Sequence, residues 1–196
     1  MGLPCTVAGL NVRLLYMNPN STEAMTDSIV SVARETAPGA EVLGWTNHLG
    51  PPSIQGPEDG EAAVEGLLAL LPEARAAAAD AIVIGCFDDT GLGPLQAAAH
   101  CPVIGIGQAA MSLASLQSDR FGIVTTLDVS VPVIATNVDS YGFRRACVGV
   151  FASGLPVLEV ERGGQDVEDR LAMAIANAEV AGADAVVLGC AGMSRL

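Results

Sequence analysis

The chain has 196 residues, of which 51% are hydrophobic and 16% are charged, enough to bury one large or two small hydrophobic cores. Its 22 acidic residues against 9 basic ones give a formal net charge of −13, which argues against nucleic acid or an anionic membrane as a partner. All the basic residues are arginine, and the absence of lysine excludes a Schiff base to pyridoxal phosphate and a Walker-type phosphate loop.

Strands and helices are predicted to alternate through the first half of the chain. Apolar runs predict strands at 12–17, 41–45, 81–85 and 102–106. Helical spacing predicts helices at 21–36, at 61–79 with a bend at Pro72, and at 94–99. Asn20, with Glu23 three residues later, is predicted to cap the first helix. The segment 49–60, rich in proline and glycine, is predicted to be a loop that forms a flap or an interface.

The second half repeats this plan. Strands are predicted at 120–125, 146–151 and 185–189, and helices at 108–117, at 129–141 with an interruption near Pro132, and at 166–181. Such alternation is typical of α/β folds with parallel sheets covered by helices. We therefore expect two similar Rossmann-like parallel-sheet domains, 1–107 and 108–196, related by pseudo-twofold symmetry.

One heptapeptide pattern occurs twice in the sequence, and each copy ends in a cysteine. Residues 80–86 read D-A-I-V-I-G-C and residues 184–190 read D-A-V-V-L-G-C. Each run has the character of a buried parallel strand that ends at the loop where open α/β sheets bind ligands. Cys86 and Cys190 are therefore predicted to face each other across a cleft between the halves. Two opposed thiols suit removal of a proton from one face of a carbon and its return to the other face.

The remaining cysteines and the histidines carry weaker signals. Cys5, Cys101 and Cys147 have no matching partner and are interpreted as space-filling residues. Without a C-x-x-C motif, neither a zinc site nor a disulfide framework is expected, and the thiols are predicted to be reduced in the cytoplasm. His48 and His100 do not neighbour a strand-end cysteine, but a Cys-His hydrolase stays open because such partners meet only in space.

Small polar residues follow the first strand of each half, beside the cysteine loops. Asn18 ends the first strand, and Thr125 with Thr126 occupies the equivalent place in the second half. Each of these would ordinarily be interpreted as a turn or strand-end cap. Their shared placement next to the two cysteines favours a role in binding.

These segments resemble the aspartate/glutamate/hydantoin racemase superfamily, and within it the hydantoin and allantoin racemase branch. The resemblance spans the whole chain and is carried by N-P-N-S-T at 18–22, G-C-F-D-D-T-G-L at 85–92, P-V-I-G-I at 102–106 and L-G-C-A-G-M at 188–193. It implies two similar α/β domains with an active site between them. It also implies two-base proton transfer by Cys86 and Cys190, with no cofactor and no metal.

The implied chemistry leads to expectations for individual residues. One thiol has to become a thiolate, and we expect backbone N–H groups around the flanking glycines to achieve this at rest. A neutral cyclic ureide is the expected substrate because no arginine precedes Arg195 in these segments. Asp88 and Asp89 could equally cap the following turn. Residues predicted to hold the substrate are Asn18, Phe87, Asp88, Thr125, Thr126, Ala191 and Gly192.

Other activities stay open on sequence grounds. An amino-acid racemase of the aspartate/glutamate type, an enzyme like maleate isomerase and a non-catalytic ligand-binding homologue all remain compatible. An arylmalonate-type decarboxylase is disfavoured because it uses a single thiol. Members of the resembled family continue past C-A-G-M with a further strand and helix, so we expect the first sheet here to have an uncovered edge or face. That surface predicts a homo-oligomer.

Overall fold

The first half of the chain folds around a four-stranded parallel sheet. In a computed structural model, which describes residues 12–194, its strands are β1 (Arg13–Asn18), β2 (Glu41–Thr46), β3 (Ala81–Ile84) and β4 (Val103–Gly105). The strand order is β2-β1-β3-β4, and every neighbouring pair is parallel. All four strands therefore point their carboxyl ends toward one edge of the sheet.

The second half builds a smaller sheet of the same kind. Its strands are β5 (Phe121–Thr125), β6 (Cys147–Ala152) and β7 (Ala185–Leu188), in the order β6-β5-β7 and all parallel. This order matches β2-β1-β3 of the first sheet. The predicted α/β class with two similar parallel sheets is confirmed.

Eight α-helices lie among the described residues. They are α1 (Glu23–Thr36), α2 (Pro57–Ala69), α3 (Leu71–Ala76), α4 (Leu92–Ala98), α5 (Ile106–Gln117), α6 (Val131–Ser140), α7 (Val157–Arg162) and α8 (Gln165–Val180). Short 3₁₀ turns occupy Asp128–Ser130 and Ala191–Met193. Helix α7 was not predicted. Pro132 lies in the first turn of α6 rather than interrupting a helix, because proline is tolerated there.

The predicted cap of α1 is wrong. The N-cap residue is Thr22, two positions after Asn20, and its side chain makes no capping hydrogen bond. The Asn20 amide oxygen instead accepts from the Thr22 backbone N–H at 2.9 Å, which closes a turn before the helix begins. Asparagine commonly forms turns of this kind with the backbone two residues on.

Equivalent backbone hydrogen bonds show that β3 pairs with β1 in the same way as β7 pairs with β5. Gly85 donates to the carbonyl of Met17 at 2.8 Å, and Gly189 donates to the carbonyl of Val124 at 2.6 Å. At the other end of the same strands, the Asp80 and Asp184 amides donate to the carbonyls of Arg13 and Arg120. The sequence repeat is thus a structural repeat. It leaves both cysteine loops at the carboxyl ends of their sheets.

Each sheet is covered by its own apolar core. Leu15 and Ile82 of the first sheet and Leu67 of α2 are fully buried in one cluster. Phe121 and Ile134 are fully buried in a second cluster between β5 and α6. Burial of a side chain of this size contributes about 1.5–3 kcal/mol, so the strand ends are held by packing on both sides of the cleft.

Helix α5 joins the two halves, because it follows β4 directly and packs against both β4 and β7. The division predicted after residue 107 falls in its first turn and stays a prediction. Cys5 lies outside the described residues. Between residues 12 and 194 no helix is both long enough and apolar enough to cross a membrane.

Candidate active site

Both cysteine loops line one cavity between the two sheets. The cavity encloses about 350 Å³, including its opening to solvent. Predicted site residues that line it are Cys86, Phe87, Asp88, Thr125, Thr126, Cys190 and Ala191. The two thiols are free rather than bonded as a disulfide. Two thiols that line one small cavity could serve one bound molecule as acid and base.

Phe87 connects the Cys86 loop to the second half of the chain by packing into its hydrophobic core. Its ring is buried among Phe121, Ile123 and other core residues of the second half, although Phe87 follows a strand of the first sheet. A Cβ added at Gly189 would lie 3.4 Å from the Phe87 ring and 3.0 Å from the Val124 carbonyl, so the two loops pass closely here. This packing sets the separation of the two cysteine loops.

Cys86 has hydrogen-bond donors around its sulfur but is still a weak acid. The Thr90 hydroxyl donates to the Cys86 sulfur at 3.5 Å, and the Asp88 backbone N–H also contacts it. Removal from solvent nevertheless raises the pKa of Cys86 well above its ordinary value, and the Asp88 carboxylate raises it further. Cys86 is therefore a protonated thiol at neutral pH.

Cys190 has a similar environment. Burial raises the pKa of Cys190 to about 12, and the charges of Asp88 and Glu161 add to this effect. The backbone N–H of Gly192 opposes it by stabilising the thiolate. Ionisation of Cys190 also raises the pKa of Cys86, so the two sulfurs are close enough to sense each other. The expectation of a thiolate at rest is wrong, because burial outweighs the backbone donors.

Asp88 lines the cavity and carries a partly buried carboxyl group. Its Oδ2 atom is shielded from solvent and has no hydrogen-bond partner among residues 12–194. Burial raises the pKa of Asp88 to about 7, and the neighbouring Asp89 charge raises it as well. The Asn137 side-chain amide donates to the Asp88 carbonyl at 2.9 Å, which ties this loop to α6.

Asp89 has a structural role just outside the cavity lining. Its carboxylate accepts from the backbone N–H groups of Gly107 and Gln108 at 2.9 and 2.8 Å, in the first turn of α5. The Tyr141 hydroxyl donates to the same carboxylate at 2.8 Å. A Cβ at Gly105 would overlap this carboxylate, so glycine is required there. Asp89 therefore anchors the cysteine loop to α5 and α6.

Asn18 does not line the cavity. Its amide nitrogen donates to the Asn20 side chain, to the Thr22 carbonyl and to the Thr26 hydroxyl at 3.0–3.2 Å, and its amide oxygen accepts from the Asn20 backbone. These bonds use both ends of the amide to hold the loop after β1. Asn20 lines the cavity in its place. The predicted contact of Asn18 with substrate stays a prediction.

The threonines and Gly192 lie where the repeat indicates. Thr125 and Thr126 are buried at the end of β5, and the Thr125 hydroxyl donates to the Gly189 carbonyl at 3.3 Å. Gly192 is buried and does not line the cavity. Its backbone N–H instead forms a hydrogen bond with the Cys190 sulfur.

Four further residues of the cavity wall were not predicted. They are Met25, Ile54, Ser130 and Val157. Ile54 belongs to the proline-rich loop, and the neighbouring Gln55 side chain accepts from the Val157 backbone N–H at 3.1 Å across the cleft. Met25 alone had a local signal, since it lies one turn into α1 beside the N-P-N segment. Ile54 and Val157 come from segments distant in sequence, whereas Ser130 lies just after the predicted Thr126.

The cavity wall contains no arginine and no histidine among the residues that the structure describes. Its titratable groups there are the two thiols and Asp88, and both thiols are protonated at neutral pH. Among residues 12–194 no three His, Cys, Asp or Glu side chains are grouped to hold a metal ion. The site therefore suits a neutral molecule with polar edges better than an anion.

Comparison with known proteins identifies similar sequences and structures. The pattern of the family described as Asp/Glu/Hydantoin racemase matches residues 14–196. A hydantoin racemase from Rhizobium meliloti is 44% identical over 183 residues, covering 92% of this chain and 76% of that protein. An allantoin racemase from Klebsiella pneumoniae superposes with a TM-score of 0.89 at 37% identity, covering 93% of this chain and 76% of that one. An allantoin racemase from Pseudomonas fluorescens superposes with a TM-score of 0.81 at 31% identity, covering 94% and 79% respectively.

Proposed function

This chain belongs to the Asp/Glu/hydantoin racemase family, and from that premise we propose that it racemises a neutral cyclic ureide, a 5-substituted hydantoin or allantoin, without a cofactor. The supporting observation is the pair of thiols, Cys86 and Cys190, on opposite loops of one cavity whose described wall has no cationic side chain. The relatives named as hydantoin and allantoin racemases favour the same substrate class.

The charge of the cavity supports a neutral substrate over an anionic one. A free amino acid or a maleate-type dicarboxylate would bring one or two carboxylates toward Asp88, with no arginine or histidine in the described wall to receive them. An unpaired charge transferred from water into such a site is strongly disfavoured. A ureide ring has neutral N–H and carbonyl groups, which the hydroxyls of Thr126 and Ser130 can meet.

The reaction is a transfer of one proton between the two sulfurs through the substrate. One sulfur, as thiolate, takes the proton from the ring carbon, and the electron pair of that C–H bond moves into the adjacent carbonyl to give an enolate. The opposite thiol then delivers its proton to the other face of the carbon and becomes the thiolate. Cys86 and Cys190 exchange roles according to the handedness of the substrate, and bond order and charge balance at each step.

The raised pKa values of both thiols fit this scheme. A thiolate that burial disfavours is a stronger base than a solvated one, which suits a weakly acidic C–H bond. Neither sulfur is ionised at rest, so the thiol that acts as the base has to release its proton to solvent before it takes the ring proton. The Asp88 and Gly192 backbone N–H groups, which contact the two sulfurs, then stabilise whichever thiolate forms.

A substrate panel tests this proposal. Single enantiomers of allantoin, of 5-substituted hydantoins, of aspartate and of glutamate are incubated with the protein, and the loss of optical rotation is followed. We expect racemisation of the ureides only. Cys101→Ser serves as the control, since Cys101 lies outside the cavity and should leave the rate unchanged. Racemisation of the amino acids and not of the ureides would contradict the proposal.

The homo-oligomeric state and the cytoplasmic location stay predictions. Edge strand β4 exposes Ile104, and α5 exposes Leu113 and Leu116, with 84% of Leu116 accessible to solvent. Exposed apolar side chains on an edge strand and an adjacent helix favour self-association.

A further inference from the structure

Asp88 contains a buried acceptor atom for which residues 12–194 supply no donor. Its Oδ2 atom is shielded from solvent and unpaired among residues 12–194, although Asp88 belongs to the wall of the thiol cavity. An unpaired buried acceptor costs roughly 1–3 kcal/mol, and more when it is charged. The Asp88 carboxyl group therefore has unused acceptor capacity beside the thiol cavity, and a hydrogen-bond donor on the ligand can use it.

The position of Asp88 relates this acceptor to a particular part of the substrate. Asp88 lines the thiol cavity and also a second, outer cavity of about 700 Å³ that opens to solvent between α2, α4 and α6. Pro57, Val64, Leu92 and Val133 make the outer cavity largely apolar. Because Asp88 lines both cavities, a substituent on a ring that is held between the sulfurs can lie next to Asp88.

The loop that carries Asp88 is held firmly. Asn137 binds its carbonyl, and the next residue, Asp89, makes three hydrogen bonds to α5 and Tyr141. Asp89 has a φ of 51°, so the backbone adopts the left-handed conformation at this point. The carboxyl group is therefore presented from a fixed backbone, and such preorganisation favours selectivity.

We infer that Asp88 determines substrate specificity, its carboxylate accepting a hydrogen bond from an N–H group on the ring substituent, as the ureido group of allantoin provides. This inference rests on the proposed racemase function and names the substrate that the site prefers. An apolar substituent leaves the acceptor unpaired, whereas an N–H donor pairs it. Its pKa of about 7 shows how strongly the buried surroundings disfavour the charge that a donor would stabilise.

The test compares kcat/KM for allantoin with kcat/KM for 5-isopropylhydantoin, whose substituent has no donor. Wild type, Asp88→Ala, Asp88→Asn and the control Glu58→Gln, an exposed carboxylate on α2, are measured in parallel. We expect Asp88→Ala to lower kcat/KM for allantoin by about 10- to 100-fold, the effect of one lost hydrogen bond to a charged group. The value for 5-isopropylhydantoin should stay within about threefold or rise.

Asp88→Asn retains an acceptor oxygen without the charge and should give a smaller loss for allantoin alone. It also keeps the test valid if the alanine variant folds poorly. An equal loss for both substrates, or no change in their ratio in either variant, would overturn the inference while leaving the racemase proposal intact. If the wild type racemises neither substrate, both proposals fail.

Discussion

Replacing Asp88 by asparagine should change how stability depends on pH. The pKa of Asp88 is raised from an ordinary value of 3.8 to about 7, chiefly by burial. The unfolded chain therefore loses this proton at lower pH than the folded chain does, so the free energy of unfolding falls as the pH rises from about 4 to about 7. A shift of this size corresponds to a loss on the order of 4 kcal/mol, complete above the folded-state pKa. The side-chain amide of the Asp88→Asn variant does not titrate, so that variant would escape the loss.

Urea denaturation of the wild type and Asp88→Asn between pH 4 and pH 8 measures the effect. The informative quantity is the change with pH in the difference between the two proteins, because a buried amide adds the same offset at every pH. We expect the variant to gain up to about 4 kcal/mol relative to the wild type between pH 4 and pH 8. A difference that stays constant with pH, or that moves in favour of the wild type as the pH rises, would refute the reasoning.

Three further predictions concern residues around the site and the surface that is expected to self-associate. In urea titrations, Asp89→Ala should lower the free energy of unfolding by about 3–5 kcal/mol, because it leaves three hydrogen-bond donors without an acceptor. Tyr141→Phe should lower it by about 1–2 kcal/mol, because it removes one hydrogen bond. Equal effects of the two variants would contradict the anchoring role of Asp89. Gln55→Ala should speed labelling of the two cavity thiols by a maleimide, because it removes a bond across the cleft; an unchanged rate would show that the proline-rich loop does not control access. Sedimentation should show an oligomer that Ile104→Ser with Leu116→Ser shifts toward monomer; a wild-type monomer at micromolar concentration would contradict this.

The strands and the two cysteine loops could be predicted from the sequence because their signals are local. Four apolar residues followed by Gly-Cys mark a buried strand end, and duplication of the pattern relates the two halves. Helix α7 escaped prediction because Val157–Arg162 is only six residues long and shows too little periodicity. Helix α2 was predicted to begin at Glu61 but begins at Pro57, a residue that suits the first turn of a helix.

The cavity wall was harder to predict because most of it depends on long-range packing. Ile54 lies in a loop and Val157 begins α7, and these segments, about a hundred residues apart, meet through the Gln55 hydrogen bond. Within N-P-N, the sequence does not show which asparagine faces the cavity, and the Asn18 amide proves to be used within its own loop. Burial of Phe87 in the core of the opposite half likewise has no local signal.

Exchange of the α-proton by the single-cysteine variants tests the two-thiol mechanism most directly. Cys86→Ser and Cys190→Ser are each incubated in D₂O with either enantiomer of a substrate that the wild type racemises, and deuterium uptake and optical rotation are followed together, with Cys101→Ser as control. We predict that both variants lose racemisation by about a hundredfold or more, and that each exchanges deuterium into at most one enantiomer with retention. Racemisation at the wild-type rate by either variant would contradict the account.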